Sequence, residues 1–402
     1  MKTRTKILIF VVIITGVMAF QLFLPSFGRN RHMRMEVLEG HGISYDFGAS
    51  PSFHSNNSAS FFYSTRNVVQ YRTPGRIEQS HNFNPTLIRP IMIGRDNIVA
   101  VGEENGRRVY VFGTDSIILR KEFDDPISVF SITESGLLSV VLRYGSGHQV
   151  RVYNTNGERI FRRTIVDPLK IPTAIETSPC GRYVVMAIMD ISVMLTTYLE
   201  FGYTSAMDAL ELTDVQGVFF TDVFREHIVT GMRFMADNKL VVSTTAGIIC
   251  YQIRPIAHGP TAVDQVFFHE TNFYIDRLVF YGNRHFAYAT GSRHVGETEG
   301  PTTGTVRIYN INGTRTGEFV LGRRATHLSA GHGALLVGAD RNFHAVALNG
   351  NHLWEHNALQ DASGRDVIFL ENTNTILISG PNRADVLVRQ RAREAEAEFT
   401  QD

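Results

Sequence analysis

Fifteen histidines and two cysteines are the residues of this chain best suited to metal or nucleophilic chemistry. Their spacing does not assemble a site. His32, His41, His54, His81, His148, His227 and His258 are scattered, and no pair reads as a helical zinc site. His327 and His332 are close in sequence, as are His352 and His356, and each pair reads as surface loop or turn. Cys180 and Cys250 are too few for a disulfide framework, and both thiols are expected free and buried. Asp124 and Asp125 precede Pro126, which is turn chemistry. The stretch 103–106, EENG, reads as a solvated turn, and no phosphate loop or nucleophile elbow is present. The sequence therefore assigns no catalytic, cofactor-binding or metal-ligating residue, and no cofactor.

What the sequence does carry is a recurring element, a tight turn followed by a short apolar strand. The clearest copy is SPCGRYVVMA, residues 178–187. Others begin at residues 94, 134, 236, 282, 331 and 372. The first apolar strand residues are Ile98, Leu137, Tyr183, Leu240, Phe286, Leu335 and Ile376. Radial β-propellers place one four-stranded blade in each ~40–50 residues, and these steps match. A weaker copy at 59–83, with the strand ASFFYST, raises the number of units to eight; seven is the alternative. The long step after Tyr183 marks an insertion over 189–232, where extended strands and a long outer hairpin or loop are expected.

Within a unit, VRVYNTNG (150–157) and VRIYNING (306–313) share Val, Arg, Tyr, Asn and Gly. Their Asn-x-Asn-Gly ending is a hairpin signal. An inner hairpin thus opens each unit and an outer hairpin closes it. The last unit supplies only three strands before the charged tail, residues 391–402. An unpaired edge there would be a template for aggregation. ISYDF, residues 43–47, is the nearest spare strand, so it is expected to share a sheet with residues 386–388.

Residues 7–24 carry no charge, and at a rise of ~1.5 Å per residue they span about 27 Å as a helix, enough for a membrane core. Lys2, Arg4 and Lys6 precede them, and the exit LPSFGRN offers no Ala-x-Ala cleavage site. An uncleaved single-pass anchor is expected, with residues 1–27 as stub and anchor, 28–42 as linker and 43–390 as propeller. The N-terminus is read as cytoplasmic and the propeller as extracytoplasmic. Lys+Arg and Asp+Glu balance at 39 each, so no global field draws nucleic acid.

SPCGRYVVMA resembles the Ser-Pro-Asp-Gly hairpins of WD40-like and YVTN-like propellers. AVALNGNHLWEH (345–356) resembles the strand-turn-Trp element of quinoprotein-like propellers, including the outer-membrane assembly propeller family. The order of anchor, ISYDF, FFYST, VYVF, SPCGRY and FREHIVTGMRFMADNKLVVST resembles a family of bacterial membrane-anchored propellers of unknown function, over roughly 40–390. These resemblances imply an all-β propeller of four-stranded blades, eight or seven, behind one transmembrane helix. They point to a non-enzymatic scaffold at the cell envelope that binds a protein or a ligand. A quinone-dependent dehydrogenase or an envelope sensor is the alternative. The dehydrogenase would need docking tryptophans and an acidic calcium-type site, and the chain has one Trp, Trp354.

Overall fold

The computed structural model describes residues 33–46, 51–56, 58–204, 218–225, 227–254, 262–271, 274–292, 304–339, 342–357, 366–380 and 382–391. They form eight antiparallel sheets, seven of four strands and one of five, arranged as the blades of a propeller. Residues 7–24 and 392–402 lie outside the described residues. Among the described residues no helix is long and apolar enough to cross a membrane.

Seven blades run outward from the channel in chain order, as in Ile127–Ile132, Leu138–Tyr144, Gly147–Tyr153 and Arg159–Ile165 of blade 3; the eighth takes its outermost strand from the N-terminal side. The second strand of a blade is mostly apolar on both sides because both face neighbouring blades. In Tyr183–Asp190 of blade 4, the six residues 183–188 are all buried. This is why the sequence shows short continuous apolar runs there rather than alternation. The insertion in this blade forms two eight-residue strands, Thr196–Tyr203 and Val218–Arg225; residues 205–217 between them lie outside the described set.

The core is divided into eight apolar clusters, and each joins two adjacent blades. At the junction of blades 5 and 6, aromatic residues of blade 6 stack on one another, Phe286 and Tyr309 at 5.5 Å and Tyr288 and Tyr309 at 5.7 Å. Trp354 docks blade 7 on blade 8: its indole N–H donates to the Thr373 carbonyl at 2.8 Å, and its ring meets Phe369 edge-on. The eighth cluster closes the ring by packing Phe53, Phe61 and Tyr63 of blade 1 against Leu377, Ala384 and Val386 of blade 8.

The expected closure by an N-terminal strand is present, but a different segment carries most of it. Met33–Val37, expected as linker, pairs antiparallel with Arg383–Arg391 and is the outermost strand of blade 8. Its register sets Glu36 against Val388 and Val37 against Leu387. Among the described residues of this stretch, 43–46, Ile43 and Ser44 are the ones that pair, with Ala384 and Arg383. Ile43 is a core residue, and the Tyr45 hydroxyl donates to the Gly380 carbonyl at 2.7 Å. The polar stretch RHMRMEV concealed a strand because an outermost strand needs little apolar character.

Each innermost strand starts on one face, here the upper face, and ends in its first hairpin turn on the lower face. By this pairing Met33 lies at the lower edge of the disc. Removing residues 1–38 should lower the melting temperature and raise aggregation relative to removing 1–30, because only the first deletion uncovers the edge of Arg383–Arg391. Coincident melting curves for the two soluble variants would show that Met33–Val37 does not close the ring.

Candidate functional site

The inner strands bring charged residues together at the lower mouth of the channel. Arg95 ends the strand Pro90–Arg95 of blade 2, and Glu176 lies near the end of Lys170–Thr177 of blade 4. Their side chains meet at 2.9 Å across 81 residues of chain, passing over blade 3. Arg233, on Val229–Ala236 of blade 5, reaches Glu134 in the first turn of blade 3 at 3.4 Å, passing over blade 4. In the orientation its hydrogen bonds require, the Asn283 amide donates to Glu134 Oε1 and to the Met235 carbonyl, both at 3.2 Å. The Arg233 guanidinium also lies 5.3 Å from the Phe280 ring centre.

Burial sets the electrostatics of this cluster. It pushes the Arg233 guanidinium down to about 10, with the charge of Arg95 adding and Glu176 and Glu134 opposing. Burial raises the Glu176 carboxyl, against the pull of Arg95 and Arg233. His54, on Ser52–Ser55 of blade 1, completes the group: its Nε2–H donates to the Asp96 carbonyl at 3.0 Å. Burial, helped by the Arg95 charge, lowers this imidazole to about 4, so it is neutral at physiological pH. Gly94 makes room for the ring; a Cβ there would lie 2.1 Å from His54 Cγ. Two guanidinium groups and two carboxylates neutralise each other, and they tie blades 2 to 4 and 3 to 5. Carboxylates held this way are engaged by protein cations rather than displayed as an open acidic ligand set.

Further polar locks join the lower turns. Ser135 Oγ donates to the Pro179 carbonyl at 2.9 Å, and Asp237 Oδ1 accepts from the Cys180 N–H at 2.6 Å. Cys180 is therefore exposed, contrary to expectation, because its slot is the tip of a surface turn. Cys250 is buried, and burial pushes its thiol up to about 11. In the stretch 103–106, Glu104 and Asn105 form the expected exposed turn, and Glu103 departs from expectation. Glu103 is buried and meets Arg108 at 2.7 Å, and Arg108 in turn donates to the Pro85 carbonyl at 2.8 Å. Asp124 and Asp125 do form the link between blades 2 and 3.

The histidine pairs separate. His327 Nε2–H donates to the Val367 carbonyl at 2.6 Å, whereas His332 bonds to the Leu370 carbonyl from the opposite end of the same strand. Burial lowers His327 to about 4. His352 lies beside His344 rather than His356. The lower-mouth cluster escaped sequence reasoning, although one signal was available. Arg95, Glu134, Glu176 and Arg233 each stand in or just before the first turn of a unit, and aligning the repeats on that turn would have shown them.

On the upper face, Tyr144, Val166, Leu169 and residues 191–195 expose apolar side chains from blades 3 and 4. Val193 is 96% exposed, Val166 78% and Met194 57%. The turn that presents them is well built. Asp190 Oδ1 accepts from the Ser192 N–H and hydroxyl at 3.0 and 2.6 Å, and the Ile191 N–H donates to the Leu169 carbonyl at 3.0 Å. A groove of about 760 Å³ between blades 6 and 7 is lined by Leu321, Arg323, Ala339, Asn342, His344 and Asn357.

His54 and His327 yield a pH test. Both have folded values near 4, below the ordinary 6.5. Between these limits the unfolded chain binds protons that the folded chain does not, so stability is full above pH 6.5 and falls toward pH 4. At ~1.4 kcal/mol per pH unit, each contributes at most roughly 3–4 kcal/mol to that fall. Replacing both by Asn should flatten the slope of denaturant-derived stability over this window. An unchanged slope would remove these histidines from the account.

No curated protein matches the chain. Among solved structures it is similar to BamB from Moraxella catarrhalis, with a TM-score of 0.50 at 14% identity over 88% of this chain and 97% of that one. It is also similar to Sqt1 from Chaetomium thermophilum, with a TM-score of 0.53 at 11% identity over 88% and 99%. At such identities the likeness establishes the propeller fold alone. Residues 56–387 match the family of unknown function DUF5711, and the chain belongs to that family.

Proposed function

We propose that this protein is a membrane-anchored interaction scaffold of the cell envelope that docks a protein partner on the upper face of its propeller. The observation that carries this reading is the apolar surface of Tyr144, Val166, Leu169 and residues 191–195. Contiguous exposed apolar groups are costly in water and mark sites that another surface covers. Hydrogen bonds at Asp190 and Leu169 hold the turn in place, which lowers the ordering cost of binding.

The position of Met33 at the lower edge supports the same reading. An anchor formed by residues 7–24 would enter from the lower side and leave the upper face turned away from the bilayer. We take the N-terminus as cytoplasmic and the propeller as outside the cytoplasm, in keeping with the very short basic stretch, Lys2, Arg4 and Lys6, ahead of the apolar run. The paired charges at the lower mouth serve to lock blades together, and no reaction is assigned to them.

A photo-crosslinking residue at Val193 in native membranes should yield a discrete protein adduct, whereas one at Arg182 on a lower turn should not. The double variant Val193→Asp, Met194→Asp should lose the adduct partner on co-purification while keeping its melting temperature. Adducts from Arg182 alone, or lipid adducts alone from Val193, would contradict the proposal.

A further inference from the structure

We propose that His344, His352 and Glu355 on blade 7 form a binding site for a divalent transition-metal ion of the zinc class. His344 lies on Asn342–Ala347, and the other two lie on the adjacent strand His352–Asn357. His344 Nδ1 is 3.4 Å from His352 Nε2 and 4.0 Å from Glu355 Oε2, and all three donor atoms lie within 4.8 Å of one another. Four-coordinate zinc with ligand bonds of about 2.0–2.1 Å holds its ligand atoms about 3.3–3.4 Å apart. The two imidazole nitrogens already stand at that separation. It is long for a hydrogen bond between them, so such a bond accounts poorly for the contact. The Glu355 side chain is half exposed and is free to rotate into the third position.

The backbone has a feature that this convergence requires. In a regular strand, side chains three apart point to opposite sides. His352 and Glu355 share a side because the register shifts between the pairs Ala345–Trp354 and Val346–His352, a bulge that adds Leu353. Bulges re-aim side chains in this way. Phe319 of blade 6 then flanks both rings. It stacks on His352 at 5.7 Å and 6°, and lies 5.4 Å from His344. The two histidines are thus positioned by paired strands and by a neighbouring blade, which reduces the ordering cost of ligation.

Donor chemistry selects the ion. Two imidazoles and one carboxylate suit zinc, copper, nickel or cobalt, whereas calcium and magnesium take oxygen ligands. Three protein donors leave a fourth position for water or for a side chain of a docked molecule. His344 also lines the groove between blades 6 and 7, whose other walls are the upper ends of their strands. An ion held here would sit on the side of blade 7 that faces blade 6, between His344 near the middle of its strand and His352 at the lower end of the next.

The full-length protein, extracted in detergent and stripped with chelator, should be titrated with Zn²⁺ alone by calorimetry and with Co²⁺ alone by visible absorption. One equivalent of Zn²⁺ should bind, and Co²⁺ should show the intense absorption of four- or five-coordinate cobalt. His344→Ala and His352→Ala should each weaken binding at least about 10-fold, and Glu355→Gln should weaken it measurably, with metal-free melting unchanged. His227→Ala should bind as the parent does. Should the alanine variants fail to fold, Glu355→Gln, an exposed change, carries the test. Absence of saturable binding, binding unaffected by these substitutions, or cobalt that keeps the weak absorption of its six-coordinate aquo ion would overturn the proposal.

Discussion

The structure depends on ring closure. A blade is a four-stranded sheet that buries both faces, and its only available cover is the blade on either side. The eight apolar clusters follow directly, one for each junction. Seven junctions form between blades consecutive in the chain. The eighth must join the two ends of the sequence, so it carries the largest loop-closure cost. Pairing of Met33–Val37 with Arg383–Arg391 offsets that cost with backbone hydrogen bonds, and packing of Phe53 and Phe61 against Leu377 and Val386 adds burial.

A closed ring gives the two faces different characters. On the lower face the inner strands end in short turns that lie close to one another, and charge is used there for locking. Arg95–Glu176 and Arg233–Glu134 each skip a blade, which adjacent packing cannot do. Both pairs are partly shielded from water, so removing one partner of either would leave a poorly solvated charge without its counter-ion. On the upper face the connections vary in length and composition. The apolar turn over 191–195 and the groove beside His344 both lie there. A rigid scaffold that displays variable connections is the usual arrangement for binding surfaces.

The repeat was legible in the sequence because its signal is local. Turn residues followed by four or five apolar residues mark the second strand of each blade, and those strands are largely buried on both sides, as in Leu138–Tyr144 and Tyr183–Asp190. Blade count and strand order followed from that spacing. The closing strand is harder to read, since Met33–Val37 occupies an edge where polar residues are tolerated, whereas the more apolar 43–47 carries a plainer strand pattern. The sites were less legible still. Arg95 and Glu176 are 81 residues apart in the chain and meet only because the blades curve round a channel. His352 and Glu355 share a side only through a bulge, and sequence periodicity gives no warning of one. Cys180 is expected to be buried as a lone free thiol, but it stands in the Ser-Pro-x-Gly turn, whose tip is exposed.

Native-state hydrogen exchange of the closing strand tests the central claim most directly. If the ring is closed by Met33–Val37, its paired amides and those of Arg383–Arg391 should exchange only through global unfolding, as slowly as those of Leu138–Tyr144 in the middle of a blade. Fast exchange of the Met33–Val37 amides, with the other blades still protected, would show an open ring and contradict the account.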